Sequence, residues 1–346
     1  MSVMVNAQDS APLGISVVIC CYNSAARLPE TLKHLAGQVV SAKIPWEVIL
    51  VNNASTDNTA EVAVRVWQET SALVPLEVLA ETRPGKSYAL ETAFMAAQYG
   101  ILVIVDDDNW LNLDYLQHAF HLMRQHLEIG ALGGRITAAF ETEPPPWFQQ
   151  FQSCYAVGPQ GKVSGDITDY KPHVAGAGMV VRKSAYELLK QHGFRWILSD
   201  GKNGILNTGE DLELCYALAL AGYRIWYDEN LGLTHYMPKS RLTQESLLEL
   251  IRRNRIAGPL QAGYEIAWRG IHTSALKFYF YRVLMLGLWL AKGAVKFLLG
   301  RQTWLSLRIA FADWFQSLFD YGVLRRIFRN DLPRIQQLKE KRPICQ

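Results

Sequence analysis

Val103-Ile104-Val105-Asp106-Asp107-Asp108-Asn109 sets three adjacent carboxylates directly after a run of five apolar residues, Ile101 to Val105. An unbroken apolar run of that length reads as a strand buried on both faces, so the carboxylates stand where the strand emerges into a cleft. Three like charges in a row repel one another unless something positive compensates them. Hard oxygen ligands suit Mg2+ or Mn2+ in that part. The plainer alternative is an acidic turn ahead of a helix starting near Leu113, since Asp and Asn favour turns and N-caps for local reasons.

Outward from this stretch, apolar runs alternate with helical periodicity. Ile15–Cys21 predicts a strand and the pattern from about Leu28 to Val39 a helix; Trp46–Val51 predicts a second strand and Asp57 to about Thr70 a second helix. Leu76–Ala80 predicts a short strand and Lys86–Gln98 a third helix. Such alternation implies βαβ units and a largely parallel sheet, in which ligands bind beyond the carboxyl ends of the strands. Beyond Gly133-Gly134 the pattern turns irregular: Pro144-Pro145-Pro146-Trp147 breaks any element and 150–175 lacks periodicity. A strand at Gly178–Arg182, a helix from Ser184, a helix from Glu210 to a stop at Gly222 and a strand-like Arg224–Tyr227 follow.

With 346 residues, 49% hydrophobic and 19% charged, the composition is that of a folded chain able to bury a full core. The net charge of +3 conceals a split: from Arg241 onward there are 18 Lys/Arg against 7 Asp/Glu, while the first 240 residues hold 17 basic and 25 acidic. An acidic body with a basic tail points to an anionic surface, a membrane leaflet or nucleic acid. The five cysteines (Cys20, Cys21, Cys154, Cys215, Cys345) are scattered, which fits a reducing compartment and argues against a disulfide framework. No basic segment followed by an apolar stretch opens the chain, so no signal peptide is expected.

In the tail, Phe278–Leu299 is strongly apolar over 22 residues but is interrupted by Arg282, Lys292 and Lys296. Its central run, Val283–Ala291, is expected to be too short to span a bilayer unaided. Residues 304–328 mix Trp304, Phe311, Trp314, Phe315 and Phe319 with Arg325 and Arg326, the pattern of a helix lying in a membrane interface. A buried helical subdomain, or a re-entrant or spanning segment, is the alternative. Nucleic-acid binding is not expected, because these aromatics lie inside apolar runs rather than on a stacking surface.

Four polar clusters mark strand ends or helix starts. In Asn52-Asn53-Ala54-Ser55-Thr56-Asp57, Ser55 or Thr56 can cap the following helix and Asp57 suits its positive end, while the two amides present donors and acceptors suited to a nucleobase edge. Arg83-Pro84-Gly85-Lys86 places two cations before a helix N-terminus, against the macrodipole, which makes sense if a diphosphate lies there. Asn207-Thr208-Gly209-Glu210-Asp211 puts acids at a helix start, either as ordinary first-turn residues or as a general base. His235, followed by Arg241, is either structural or a further metal or phosphate contact.

In order and spacing, VVICCYN, VNNASTDNT, RPGKSYALETA, VDDDN, AGAGM, TGEDLEL and the pair His235 and Arg241 resemble the family-2 inverting glycosyltransferases of the GT-A fold, over roughly residues 13–241. The resemblance implies an α/β fold, a Rossmann-like, mostly parallel sheet flanked by helices, with a C-terminal helical, basic-aromatic extension. Residues 1–241 would form the GT-A domain (nucleotide-binding part about 13–110, acceptor part about 111–241) and 242–346 a membrane-associating extension. It further implies that Asp106 and especially Asp108 hold Mg2+ or Mn2+ on the donor diphosphate, with Asp107 structural. Asp211 would be the catalytic base, with Glu210 its neighbour. Asn53 would touch the nucleobase beside Asn52. Asp57, Arg83 and Lys86 would lie in donor-binding segments, and His235 and Arg241 would close over metal and pyrophosphate. The resemblance implies a UDP donor; many members carry Asp at the position of Asn52 or Asn53, and the two asparagines here leave the choice of UDP over dTDP or GDP open.

The implied reaction moves a sugar from a UDP-sugar to a hydroxyl of a glycan or lipid-linked acceptor by single displacement. The implied setting is polysaccharide or glycolipid synthesis, in the cytoplasm and peripheral at the inner face of the plasma membrane. Two alternatives compete. A sugar-phosphate nucleotidyltransferase would need a long Gly-rich N-terminal loop with a basic residue, which is missing. A non-catalytic carbohydrate- or membrane-binding protein on a decayed transferase fold would not need Asp106, Asp108, Glu210 and Asp211 intact, as they are.

Overall fold

The computed structural model describes residues 11–197 and 209–340. Strands β1 (Ile15–Cys21), β2 (Trp46–Asn53), β3 (Leu76–Glu81) and β4 (Ile101–Asp106) form a parallel half-sheet in the order β3-β2-β1-β4, connected through α1 (Leu28–Ala36), α2 (Thr59–Glu69) and α3 (Lys86–Ala96). Cys20 pairs with Asp106, Cys21 with Asn52 and Asn53 with Glu81, so the carboxyl ends are level. The polar clusters therefore share one edge.

The chain continues through β5 (Asn109–Leu111), α4 (Tyr115–Gln125), β6 (Ile129–Phe140), α5 (Phe148–Phe151), β7 (Gly165–Asp166), β8 (Val180–Arg182), α6 (Lys183–Gln191), α7 (Glu210–Leu220) and β9 (Arg224–Met237). Alternate residues of each parallel strand bury on opposite faces. Val17, Ile19, Val48, Leu50, Val103 and Val105 pack with α1, α2 and α4; Val18, Ile49, Val51, Leu102 and Ile104 pack with α3, α6 and α7. Burial on both faces is why these strands are uninterrupted apolar runs.

The second half of the sheet is mixed. β8 runs antiparallel between β4 and β6, β6 and β9 are parallel, and β5 and β7 pair antiparallel with β9. Here the sequence-based expectation needs correction, because Gly133-Gly134 does not end regular structure: β6 runs straight through it. A Cβ at Gly134 would lie 1.6 Å from the Leu231 carbonyl oxygen, and one at Gly133 would lie 2.6 Å from Val174 Cβ. The glycines admit neighbouring chain at close range, at a register shift in the β6–β9 pairing.

Helices α8 (Gln244–Arg269), α9 (Ala275–Leu298), α10 (Trp304–Ser317), α11 (Tyr321–Arg326) and α12 (Leu332–Glu340) complete the described chain, with a π-helical turn at Ile327–Asp331. Packing runs across residue 241: Leu260 and Tyr264 of α8 and Ile335 and Leu338 of α12 share a core with Leu214 and Leu218 of α7. The Tyr264 hydroxyl donates to the buried Glu213 carboxylate at 3.0 Å. By contrast, Gly293 is the one buried residue of α9. This helix, 24 residues long, is long and apolar enough to cross a membrane by length and composition alone, although its central uncharged run, Val283–Ala291, is short. Arg282, which immediately precedes that run, is paired with Asp320 at 3.2 Å. Phe280, Leu284, Trp289, Phe311, Phe315 and Phe319 are exposed on α9, α10 and the turn after it.

Candidate active site

At the end of β4 the three aspartates diverge. Asp107 turns inward: Arg27 Nη2 lies 2.5 Å from its carboxylate, and the Thr31 hydroxyl donates to its carbonyl at 2.8 Å. Burial, reinforced by Asp108, raises its carboxyl above the ordinary range against the pull of Arg27. Asp106 faces the other way, with Oδ1 2.5 Å from Lys86 Nζ.

Asp108 is placed by β5 and β9. Their register sets Asn109 opposite His235, and the Tyr236 amide donates to the Asp108 carbonyl at 2.9 Å. The tight turn Lys239–Arg241 then brings Arg241 back over the pair. His235 Nε2 lies 3.3 Å from Asp108 Oδ1, and Arg241 Nη1 lies 3.1 Å from Oδ2. Burial alone would raise the Asp108 carboxyl, but the imidazole and guanidinium outweigh it and hold it at about 2.

His235 Nδ1 lies 3.0 Å from the Tyr155 carbonyl, which can only accept, so Nδ1 carries the proton and Nε2 faces the site. Nε2 also lies 2.9 Å from Arg241 Nη1, which can only donate. One nitrogen is thus asked for a lone pair by Arg241 and for a proton by Asp108. A divalent cation would satisfy both groups, taking Nε2 and the Asp108 carboxylate as ligands, with the imidazole oriented from behind by a carbonyl. The donor set fits such an ion. Asp106 is not brought to it, and among the described residues no three His, Cys, Asp or Glu side chains gather as a ready metal cage. A magnesium-type site needs only one or two protein carboxylates when substrate phosphates supply further ligands.

Across the edge, Lys86 Nζ lies between Asp106 and Glu210, the latter at 3.4 Å. Burial opposes the charge of Lys86, but the two carboxylates prevail and hold its pKa well above the usual lysine value. Burial raises the Glu210 carboxyl despite Lys86, and Asp211 adds to the effect. Gly85, at φ +136°, makes the turn that starts α3 at Lys86. Asp211 accepts from the Gly176 amide at 2.9 Å through Oδ2 and from the Leu212 amide at 2.8 Å through Oδ1. A Cβ at Gly176 would lie 3.3 Å from Asp211 Cβ and 3.6 Å from Lys86 Nζ. Gly176→Ala is therefore expected to lower turnover by roughly tenfold or more through displacement of Asp211. Its melting temperature should change little, and kinetics alongside a thermal melt check both.

The donor-side residues are knitted to one another. Asp57 accepts from the Ala25 and Thr59 amides, both at 3.1 Å, and Ser55 Oγ accepts from the Asn23 amide at 3.0 Å. Ser55 and Thr56 do not cap α2, whose N-cap is Asn58 with no side-chain cap bond; they tie the β1 and β2 loops together instead. The buried Asn53 amide donates to the Glu81 and Arg83 carbonyls and accepts from the Gly85 amide, so it shapes the turn before Lys86. Arg83 forms a bidentate pair with Glu81 and lies 4.5 Å from the Tyr88 ring centroid; its guanidinium draws the Glu81 carboxyl down to about 2. Asn52 differs: its Oδ1 is buried with no partner among the described residues.

A cavity of about 780 Å³ gathers Lys86, Asp106, Glu210, Asp211, His235 and Arg241 on its wall, with Asp108 beneath the last two. Asn52, Asn53, Asp57 and Arg83 do not line it. Asn207 and Thr208 lie outside the described residues. The wall also includes Tyr155, Gly176 and, from α8, Glu249, Arg253 and Gln261. Sequence reasoning missed these: the AGAGM stretch was the only signal for Gly176, and nothing in the pattern tied α8 to the site.

The family model for glycosyl transferase family 2 matches residues 16–189. The chain belongs to this family. Among its relatives, poly-β-1,6-N-acetyl-D-glucosamine synthase of Staphylococcus aureus (strain COL) is 24% identical over 215 residues, 62% of this chain and 48% of the synthase. The chain thus spans about half the length of that relative. An undecaprenyl-phosphate 4-deoxy-4-formamido-L-arabinose transferase of Salmonella paratyphi A is 29% identical over 101 residues, 29% of this chain and 31% of that protein. In fold, chains of known structure align along most of the length. S. aureus TarS 1-349, solved in complex with UDP-GlcNAc, is 16% identical with a TM-score of 0.53, covering 95% of this chain and 91% of that one. The mannosyltransferase PcManGT from Pyrobaculum calidifontis, solved with GDP-Man and Mn2+, is 20% identical with a TM-score of 0.51, covering 90% and 89%. The fold is GT-A, with a C-terminal helical region.

Proposed function

We propose that this protein transfers a sugar from a UDP-sugar to a hydroxyl of a glycan or lipid-linked acceptor, with inversion, in a reaction dependent on Mg2+ or Mn2+. The observation that carries the reading is the meeting of two clusters on one cavity: Asp211 with Glu210 and Lys86, and Asp108 with His235 and Arg241. The relatives support the chemistry, since one is named for a polysaccharide, one for an undecaprenyl phosphate, and the structural neighbours hold UDP-GlcNAc or GDP-Man with Mn2+.

In the proposed mechanism Asp211 takes the acceptor hydroxyl proton while the oxygen attacks the sugar from the face opposite the leaving group. The amides of Gly176 and Leu212 hold its carboxylate in one orientation, which confines it to a productive pose. Lys86 cross-links Asp106 and Glu210 and keeps a positive charge where the donor diphosphate would approach. Arg241, 44% exposed, is free to swing onto the pyrophosphate. A divalent ion held by Asp108 and His235 would supply charge stabilisation for the departing nucleoside diphosphate.

A thermal-shift screen of UDP, dTDP, GDP and CMP, each with Mn2+ or with EDTA, tests the reading. One nucleotide should stabilise the chain only with metal, by about 2.7 kcal/mol at a hundredfold excess over its dissociation constant. A folded sample that responds to none of them would sink the transferase assignment.

The exposed aromatics of α9 and α10, with the arginines beyond them, support association with the anionic cytoplasmic leaflet of a membrane. Sedimentation with vesicles containing phosphatidylglycerol should capture the protein and lose it as salt is raised. Equal capture by purely zwitterionic vesicles at all salt concentrations would leave the basic residues without a part in it.

A further inference from the structure

A second cleft of about 570 Å³ opens between α8, α9 and α10, away from the carboxylates of the active site. Phe278, Met285, Leu286, Trp289 and Ile309 give it apolar walls. Cys154 and Asn254 line both this cleft and the active-site cavity, so the two spaces adjoin. Arg282 stands in the lining. Its Nη2 pairs with Asp320 at 3.2 Å, but its Nη1 is buried with no hydrogen-bond partner among the described residues. Arg255, Asp313, Gln316 and Asp320 share the lining, and a buried guanidinium N–H that none of them satisfies is costly, so an anionic oxygen brought by a ligand would relieve it.

Each feature constrains the occupant. The walls call for hydrocarbon, the free Nη1 calls for an anion beside it, and the junction at Cys154 and Asn254 leads toward Asp211. A free sugar meets none of the first demands, and an inorganic anion does not fill the walls. The exposed apolar face of α9 gives a bilayer-borne chain a direct route into the cleft. We propose that this cleft holds the hydrocarbon chain of a lipid-phosphate-linked saccharide, its phosphate at Arg282, its sugar reaching into the active-site cavity as acceptor. The acceptor role rests on the transferase reading above; the lipid site does not.

The test is titration calorimetry of the full chain, in detergent-free buffer, with farnesyl phosphate below its micelle-forming concentration. Farnesol and inorganic phosphate serve as separate arms. Farnesyl phosphate should saturate one site per chain, farnesol should bind more weakly, and inorganic phosphate should show no measurable binding. Leu286→Trp, which fills the cleft, and Arg282→Gln should each weaken farnesyl phosphate by about tenfold or more. Phe280→Gln, on the outer face of α9, should not. Unchanged binding in Leu286→Trp, equal loss in Phe280→Gln, or competition by inorganic phosphate alone would overturn the proposal. If Leu286→Trp does not fold, Met285→Trp at the exposed mouth takes its place. UDP with Mn2+ is titrated into the same samples: absence of that response in the unmodified chain counts against the transferase reading, whereas the farnesyl phosphate arms judge the cleft independently.

Discussion

Asp211→Asn should lower sugar transfer by about 10²–10⁴-fold while leaving metal-dependent nucleotide binding nearly intact. The amide keeps the size of the carboxylate, and its oxygen can still accept from the Gly176 or Leu212 amide, so the entry to α7 should persist. What it cannot do is take a proton. Asp211 makes none of the contacts that hold Asp108, His235 and Arg241 together, so nucleotide and metal should bind as before. Single-turnover kinetics together with a UDP titration in Mn2+ separate the outcomes. A loss confined to turnover identifies the base. Loss of UDP binding as well would show that Asp211 shapes the site instead, and the base would have to be sought elsewhere. Glu210→Gln is the companion experiment. Because Glu210 is engaged with Lys86, its loss should loosen Lys86 and weaken donor binding before it affects the proton transfer.

Asp108→Ala should remove both transfer and metal-dependent nucleotide binding. Without this carboxylate, His235 alone remains to offer a ligand beside Arg241, too little to hold a divalent ion on the donor. The fold should survive. Breaking a fully buried ion pair costs about 3–5 kcal/mol, but Arg241 is 44% exposed and can turn to water, so the penalty here should be smaller. The variant also carries a pH signature. The folded Asp108 carboxyl is held at about 2, below its ordinary value of 3.8. It therefore contributes stability above the ordinary value, and that contribution is lost as pH falls through about 2. Chemical denaturation of both proteins from pH 5 downward should show the gap between them narrowing. A gap that stays constant would mean that the His235 and Arg241 contacts do not favour the charged form.

The sequence by itself determined the parallel half of the sheet, because strands buried on both faces are written as continuous apolar runs and helices between them keep their own period. It also singled out Asp106, Asp108, Glu210 and Asp211 as candidates for chemistry, because they stand where apolar segments end and helices begin. The mixed half was illegible. Gly133 and Gly134 look like a stop, yet they lie within β6, where neighbouring backbone and side chains approach too closely for any Cβ. Whether a given polar residue faces the cleft was likewise decided only in three dimensions. Asn53 and Arg83 have local partners that use their donors, and neither they nor Asn52 line the cavity, whereas Lys86, Glu210 and Asp211 do. His235 meets Asp108 because β5 and β9 pair in one register, and α8 closes the cavity because its Tyr264 and Leu260 bury against α7. These contacts join residues a hundred positions or more apart, or faces of one long helix whose own pattern is weak. Local periodicity records which way a side chain points relative to its neighbours, but not which distant strand or helix comes to meet it.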